Sequence, residues 1–124
     1  MKVLLLGVGT VGEAIARLSA GRPWLETMVL ADHDVERAQA LADSIGDPMS
    51  HPVAQIDGSD ADAVAALARE HGVVLVMNAL DPRFVMPVFR GALEADVDYL
   101  DMALRPAGAG AWLTRSGCAP GGAA

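Results

Sequence analysis

Cysteine and aromatic residues are scarce in this sequence. Its 124 residues include one cysteine, Cys118, and only 4% are aromatic. A single cysteine excludes an intramolecular disulfide and is typical of a reducing compartment, so we expect a cytoplasmic location. With few aromatic rings, the core must be built mainly from aliphatic side chains and alanine, and the hydrophobic fraction of 52% is sufficient for that.

Basic residues and long apolar runs are also lacking. The chain has 9 Lys and Arg against 16 Asp and Glu, a formal net charge of −7, which excludes the basic face of a general nucleic-acid binder. No run approaches the ~20 apolar residues of a membrane span. The histidines and the cysteine show no metal-ligand spacing, and no G-x-S-x-G nucleophile motif occurs. We therefore predict no metal site and assign no catalytic residue.

Five apolar runs alternate with four segments of helical periodicity. The predicted strands are Lys2–Leu6, Thr27–Asp32, His51–Asp57, Val73–Ala79 and Val97–Ala103. The first helix carries an apolar stripe of Val11, Ala14, Ile15 and Leu18, the second is capped by Asp34, and the third begins at a capping box of Ser59 and Asp62. The fourth starts at Asp81 and Pro82, and Pro87 predicts that its regular part begins, or kinks, near that residue. This alternation predicts an α/β fold with a parallel sheet between two layers of helices. Right-handed connections favour the doubly wound strand order 3-2-1-4-5.

The alternation ends near Ala103, so we predict one domain over residues 1–103. Residues 104–124 have no usable period and are rich in Gly, Ala and Pro, which predicts an irregular or disordered tail. A second interpretation is that the tail is not native sequence and that the native chain was cut or shifted in frame near Leu104. GC-rich DNA read in a wrong frame tends to give residues of this kind.

A glycine-rich stretch joins the first strand to the first helix. It reads G-x-G-x-x-G in the strand–turn–helix context that dinucleotide binding requires. The first glycine permits a tight turn, the second leaves room for a pyrophosphate, and the third lets the helix pack close to the strand. The N–H groups at the helix start suit phosphate charge. We predict pyrophosphate contacts from Gly7, Gly9, Thr10, Val11 and Gly12; the alternative is a turn with an empty site.

Asp32 ends the second strand, twenty residues after Gly12. From this position an acid can accept hydrogen bonds from the adenosine ribose. Because a carboxylate repels a 2′-phosphate, Asp32 favours NAD over NADP. No arginine follows it directly, but His33 is placed to contact the ribose or adenine, and Arg37 lies on the helix beyond. NADP therefore stays open as the second choice.

Polar residues also end the third and fourth predicted strands. Asp57 lies where this fold places residues beside the adenine, although an exposed turn acid explains it equally well. Asn78 and Ala79 end the fourth strand and face the crevice in which the nicotinamide half would lie. We therefore include all three residues in the candidate site.

Three stretches of the sequence resemble the N-terminal half of the saccharopine dehydrogenase family. They are "MKVLLLGVGTVGEAIARL", "LADHDVERAQALA" and "VVLVMNALDPRFVMPVFRGALEADVDYLDMA", which lie within Met1–Ala103. The resemblance implies a Rossmann-type domain of an NAD(P)-dependent oxidoreductase. Members transfer hydride between the nicotinamide and a C–N bond of an amino acid or polyamine adduct. By position, it implies that His33 joins Asp32 at the ribose, and that Asn78, Ala79 and Leu80 line the nicotinamide side.

The sequence departs from that family after Ala103. Members carry a second domain that supplies most substrate contacts and the dimer surface, and nothing here resembles it. We therefore expect dinucleotide binding without turnover, and self-association or a homo-oligomer through apolar surface that the second domain would cover. The alternative is a stand-alone NAD-sensing module, like the regulatory domains of potassium transport proteins, which have a similar length and glycine loop.

Overall fold

The computed structural model describes residues 1–102, which form five strands and four α-helices. The strands are β1 Lys2–Leu6, β2 Thr27–Asp32, β3 Val53–Gln55, β4 Leu75–Asn78 and β5 Asp98–Asp101. The helices are α1 Thr10–Ser19, α2 Val35–Ile45, α3 Ala61–His71 and α4 Val85–Glu94, and a 3-10 turn, Pro82–Phe84, precedes α4. The predicted tail, residues 104–124, lies outside the described residues.

All five strands join one parallel sheet in the order β3-β2-β1-β4-β5. This order confirms the predicted doubly wound fold. The central strand is β1, where Leu4 pairs with Val29 on one side and Val76 on the other. The strand order reverses at β1, so the loops after β1 and β4 diverge at their carboxyl ends and leave a crevice between them.

Alternate residues of the strands form two separate apolar cores, one on each face of the sheet. Leu4 and Leu6 lie in the core covered by α3 and α4, with Val64 and Val88 from those helices. Their neighbours Val3 and Leu5 lie in the opposite core, against α1 and α2. All are fully buried, and each contributes about 1.5–3 kcal/mol of transfer free energy. The three-layer arrangement follows from this alternation.

The apolar stripe predicted on α1 is not its buried face. Val11 and Leu18 are exposed, and the buried residues are Gly12, Ala16 and Ser19. Small residues let the helix lie close to the loop that precedes it, and this close approach turns the larger side chains outward. The Ser19 hydroxyl is satisfied by donating to the carbonyl of Ile15 at 2.7 Å.

The ends of two helices also differ from the predicted caps. Asp60, and not Ser59, caps α3, because its carboxylate accepts from the N–H of Ala63 at 3.1 Å. Ser59 instead donates to Asp57, so the predicted box with Asp62 does not form. In α4, Pro87 lies in the first turn, where its missing N–H costs little.

Candidate dinucleotide site at the carboxyl ends of the strands

A crevice of about 490 Å³ lies at the carboxyl ends of β1 to β4. It contains six of the predicted site residues: Gly9, Asp32, His33, Asp57, Ala79 and Leu80. The sheet brings them together because its strands are parallel and all end at the same edge. The remaining predicted residues, Gly7, Thr10, Val11, Gly12 and Asn78, do not line this crevice.

The glycine loop is held by steric requirements at two of its three glycines. Gly7 has φ +94°, a left-handed conformation that favours glycine, and its N–H donates to the carbonyl of Ala31 at 2.8 Å. A Cβ at Gly12 would lie 1.7 Å from the Gly7 carbonyl oxygen. The loop can therefore close onto the helix only with glycine at residue 12.

Gly9 differs from the other two glycines because its side-chain position is open. Its backbone has φ −71° and ψ −158°, and a Cβ there would meet the Nη1 of Arg37 at 3.7 Å, an ordinary contact. Nothing in the fold itself therefore demands glycine at this position. The missing Cβ leaves space on the crevice side of the loop, which suits close approach of a pyrophosphate.

The start of α1 presents backbone rather than side chains to a ligand. Gly9 is the N-cap residue, so the N–H groups of Thr10, Val11 and Gly12 have no acceptor within the helix. The Val11 side chain is half exposed, and Thr10 lines a neighbouring cleft between α1 and α2 of about 600 Å³. These three N–H groups, at the positive end of the helix dipole, suit contact with a phosphate.

The carboxylate of Asp32 is buried and bonded to the backbone around it. One oxygen accepts from the N–H of Val8 at 2.9 Å, and the other accepts from the N–H of Asp34 at 3.0 Å. The side chain is only 3% exposed. Asp32 therefore joins the glycine loop to the start of α2, and little of its surface is left for a ligand.

Two nitrogen-bearing side chains lie beside Asp32 at the end of β2. His33 is 79% exposed, and its Nδ1 is 3.0 Å from Asp32 Oδ1, the oxygen that also accepts from the N–H of Asp34. Arg37, from α2, is half exposed and has a long ion pair of 3.9 Å with Asp34. Together they place nitrogen atoms at the end of the crevice nearest β2, beside the carboxylates of Asp32 and Asp34.

Asp57 follows β3 and is fixed by Ser59. Its Oδ1 accepts from the Ser59 hydroxyl at 2.6 Å and from the Ser59 N–H at 2.9 Å. These two hydrogen bonds hold the pKa of the Asp57 carboxyl below its ordinary value. The group is exposed at the crevice wall, so it remains charged at neutral pH and presents an acceptor to a ligand.

Asn78 lies beneath the crevice, and its amide is used by the protein. It is 1% exposed; its Nδ2 donates to the Tyr99 hydroxyl at 3.1 Å, and its Oδ1 accepts from the N–H of Leu80 at 3.0 Å. The second bond shapes the turn that carries Ala79 and Leu80 into the crevice. Leu80 then packs against both Gly7 and Gly58, where an added Cβ would come within 2.9 and 2.6 Å of its methyl groups.

Several crevice residues were not predicted from the sequence. They are Arg37, Ile56, Gly58, Asp81, Arg83 and Phe84. The sequence placed Arg37 on the second helix but gave it no contact. The helix predicted to start at Asp81 and Pro82 becomes regular only at Val85, near Pro87 as the alternative had it, because Asp81 caps a 3-10 turn by accepting from the N–H of Arg83 at 3.0 Å. The Asp-Pro pair was the available signal, since such pairs initiate turns.

Residues 1–102 contain no group of three or more His, Cys, Asp or Glu that could hold a metal ion. In the same part of the chain, no helix is both long enough and apolar enough to cross a membrane.

The sheet order, the glycine loop and the crevice at the strand reversal define a Rossmann-type dinucleotide-binding domain. Residues 3–116 match the family described as Saccharopine dehydrogenase NADP binding domain. The chain belongs to this family, which confirms the resemblance found in the sequence. The matched range extends beyond the described residues, and the domain boundary at Ala103 stays a prediction.

Individual relatives agree with this assignment. Carboxyaminopropylagmatine dehydrogenase from a Synechocystis species is 30% identical over 102 residues, covering 82% of this chain and 25% of that protein. A solved saccharopine dehydrogenase (L-Glu forming) from Saccharomyces cerevisiae has the same fold, with a TM-score of 0.71 and 23% identity over 86% of this chain and 22% of its own. A short-chain dehydrogenase/reductase from Brucella melitensis superposes with a TM-score of 0.68 and 25% identity, covering 92% and 60% of the two chains. The chain thus spans about a quarter of the curated relative's length.

Proposed function

We propose that this chain is the NAD(P)-binding part of an oxidoreductase that acts on a C–N bond of an amino acid or polyamine adduct. The observation that carries the proposal is the glycine loop: Gly12 is sterically required, whereas Gly9 is open towards the crevice. The nicotinamide cofactor would supply hydride transfer. The residues of this chain would bind and orient it: the loop and the start of α1 at the pyrophosphate, the residues after β2 and β3 at the adenosine, and Ala79 and Leu80 at the nicotinamide.

The substrate class is supported by the names of the relatives. One is named for carboxyaminopropylagmatine and the other for saccharopine. The groups that select and act on a substrate would belong to a part of the enzyme that residues 1–102 do not include. Membership of this family also favours an enzyme part over a stand-alone NAD-sensing module.

Two further properties belong to the same proposal. Exposed apolar side chains on α1, with Leu18 at 70%, favour self-association or a homo-oligomer in the absence of a covering domain. Light scattering of a dilute solution tests this, and a strictly monomeric chain would contradict it. The single cysteine in 124 residues supports a cytoplasmic, reducing location.

Isothermal titration calorimetry with NADH and NADPH tests the proposed cofactor binding on the 124-residue chain. Saturable binding of at least one of them is expected. A titration with inorganic pyrophosphate alone measures non-specific anion binding and should give much weaker heats. No detectable binding of either dinucleotide at millimolar concentration would overturn the proposal.

The proposal that this chain is one part of a longer enzyme needs a separate test, because cofactor binding does not depend on it. Reading the native gene beyond the codon for Ala124 is expected to give several hundred further in-frame codons. Dehydrogenation of amino acid and polyamine adducts by the product of that longer gene would then test the substrate class. A stop codon directly after Ala124, or activity confined to alcohol substrates, would contradict the proposal.

A further inference from the structure

The edge of the sheet opposite the crevice carries a row of exposed apolar side chains. Met49, Trp24, Met1 and Val74 each lie shortly before a strand, and they are 88, 50, 47 and 52% exposed. Because the strands are parallel, these four residues, which we call the amino-edge patch, all lie at the amino ends of the strands. Leu18 belongs to the last turn of α1, which ends at the same edge, so its exposed side chain borders the patch.

Backbone hydrogen bonds hold the members of the patch side by side. The amino group of Met1 donates to the carbonyl of Trp24 at 2.6 Å, and the N–H of Val74 donates to the carbonyl of Lys2 at 2.9 Å. On the other side, the carbonyl of Ser50, directly after Met49, accepts from the first buried residue of β2 at 2.8 Å. The row therefore follows the strand order β3, β2, β1, β4, with about 4.8 Å between neighbouring strands.

An ion pair of opposite charges stands at the centre of this row. The Nζ of Lys2 is 3.6 Å from Oε2 of Glu26, and the two side chains are 42 and 64% exposed. Lys2 begins β1 and Glu26 directly precedes β2, so the pair lies between the two middle strands of the row. The chain as a whole has a net charge of −7. The centre of the amino-edge patch is thus neutral in an otherwise acidic molecule, and it offers one charge of each sign to a partner.

We infer that the amino-edge patch binds a second copy of this chain in a two-fold symmetric dimer. The inference rests on the self-association in the proposed function and names its surface. A two-fold axis that lies in the interface and passes between β1 and β2 places Met1 opposite Trp24 of the second copy. The same axis places Val74 opposite Met49, so apolar side chains meet apolar side chains. It also places Lys2 opposite Glu26, so that each copy supplies both charges of two matching ion pairs.

The size of the patch suits a weak, reversible dimer. Four large apolar side chains that are about half or more exposed present on the order of 400 Å², a size at which an exposed patch is often functional. Stable complexes bury about 800 Å² on each partner, so the apolar centre supplies about half of that area and a polar rim must supply the rest. Trp24 lies near the centre, and tryptophan is enriched among the residues that dominate binding energy. We therefore expect a dissociation constant in the micromolar range.

Sedimentation velocity on the 124-residue chain, from micromolar to submillimolar concentrations, tests the inference and should show a monomer–dimer equilibrium. Met49→Glu puts a charge into the apolar contact and should weaken the dimer about tenfold or more. Met86→Glu is the matched control, since Met86 is also exposed but lies in the first turn of α4, which follows β4 at the crevice edge. It should leave the dimer unchanged, and equal effects of the two variants would overturn the inference. A chain that is monomeric at every concentration would overturn it together with the proposed self-association, and would leave the rest of a longer enzyme as the occupant of the patch.

Exchange of the two charges tests the two-fold geometry. Lys2→Glu and Glu26→Lys each place like charges opposite one another across the axis, so each variant alone should dimerise about tenfold or more weakly. A mixture of the two variants brings opposite charges together at both contacts and should form a heterodimer with about the affinity of the unaltered chain. The ion pair within each chain stays broken in the mixture, so this recovery can come only from contacts between chains. No gain on mixing would overturn the arrangement, and thermal unfolding checks that each variant is folded.

Cofactor binding gives an independent readout, because the crevice and the amino-edge patch lie at opposite edges of the sheet. Calorimetry with NADH should give the same affinity for Met49→Glu as for the unaltered chain. A monomeric chain that binds NADH would overturn the dimer and leave the proposed dinucleotide binding standing. A dimeric chain that binds neither NADH nor NADPH would overturn the dinucleotide binding and leave the dimer standing.

Discussion

The carboxylate of Asp32 accepts a hydrogen bond of 2.9 Å from the backbone N–H of Val8, the residue between the first two glycines of the loop. Asp32 ends β2 and Val8 follows β1, so one buried side chain fixes the loop of the neighbouring strand. Asp32→Ala leaves that N–H without its acceptor. We expect the free energy of unfolding to fall by about 1.5–3 kcal/mol, the range for hydrogen bonds to charged groups, in urea denaturation.

Asp32→Ala also distinguishes two roles of Asp32: positioning of the glycine loop and direct binding of the ribose. If Asp32 acts through the loop, Asp32→Ala weakens NAD⁺ and NADP⁺ by the same factor in calorimetry. Asp60→Ala is the matched control, since it removes another carboxylate that accepts from a backbone N–H, on α3 and away from the crevice. A loss of NAD⁺ affinity together with a gain of NADP⁺ affinity would instead identify Asp32 as a ribose ligand.

Substitution by alanine should affect stability at Gly12 but dinucleotide binding at Gly9. Gly12→Ala places a methyl group 1.7 Å from the Gly7 carbonyl oxygen, so we expect a loss of about 4 kcal/mol or more of stability. Gly9→Ala meets only an ordinary contact with Arg37, and stability should stay within about 0.5 kcal/mol. Its methyl group would nevertheless occupy the space proposed for the pyrophosphate, so dinucleotide binding should be lost. Calorimetry and urea denaturation together give both readouts, and a folded Gly9→Ala chain that binds normally would contradict the proposed pyrophosphate position.

The sequence predicted the sheet better than it predicted the helix faces. Strand order and the two cores follow from patterns that are local and regular, such as the alternation of Val3, Leu4, Leu5 and Leu6. The buried face of α1 depends instead on how closely the helix approaches its own loop, which Gly12 decides. That distance is set by tertiary packing and not by the periodicity of large apolar residues. The periodicity therefore predicted Val11 and Leu18 as buried, although both are exposed.

The candidate site could be predicted as a set of chain positions but not as a set of contacts. Parallel strands bring Asp32, Asp57 and Asn78 to one edge, and that edge follows from the sequence. Whether each side chain faces a ligand or the backbone depends on neighbouring N–H groups that come from other elements. Asn78 is bonded to Tyr99 from β5, and Arg37 from α2 has its Nη1 3.7 Å from the place where a Cβ on Gly9 would be. Neither arrangement has a signal in the spacing of residues along the chain.

Close packing of α3 against α4 depends on Gly91. A Cβ at this residue would lie 2.6 Å from the Cβ of Val64 and 2.8 Å from the carbonyl oxygen of Ala61. Gly91→Ala should therefore destabilise the protein by about 1–3 kcal/mol through overpacking, measured by urea denaturation. In a double-mutant cycle with Val64→Gly, which removes the facing Cβ, Gly91→Ala should cost less than it does alone, and a strictly additive double variant would contradict direct contact between the two residues.

The charge of Asp57 should depend on Ser59. Ser59→Ala removes the 2.6 Å hydrogen bond from the hydroxyl, which is the largest cause of the lowered pKa, so the pKa of Asp57 should rise towards its ordinary value. A group whose pKa is lowered in the folded state stabilises the fold above its unfolded pKa, and this contribution is lost as the pH falls through the folded pKa. NMR titration of the carboxyl carbon measures the shift, with Ser44→Ala as a control on α2. An unchanged Asp57 pKa in Ser59→Ala would contradict the role of the hydroxyl.

The buried amide of Asn78 should matter more for the crevice than its partner Tyr99 does. Asn78→Ala removes the bond from the N–H of Leu80 and the bond to the Tyr99 hydroxyl, and the N–H of Leu80 loses its acceptor, which costs about 1–3 kcal/mol. Tyr99→Phe removes the bond from Asn78 Nδ2 but keeps both the bond from Leu80 to Asn78 and the edge contact with the Phe89 ring at 5.4 Å. We therefore expect Asn78→Ala to lower both the free energy of unfolding and the affinity for either cofactor, because the turn carrying Leu80 loses its anchor. Tyr99→Phe should lower stability less and leave affinity nearly unchanged. If urea denaturation and calorimetry gave equal effects for the two variants, the bond from Leu80 to Asn78 would not be what shapes this side of the crevice.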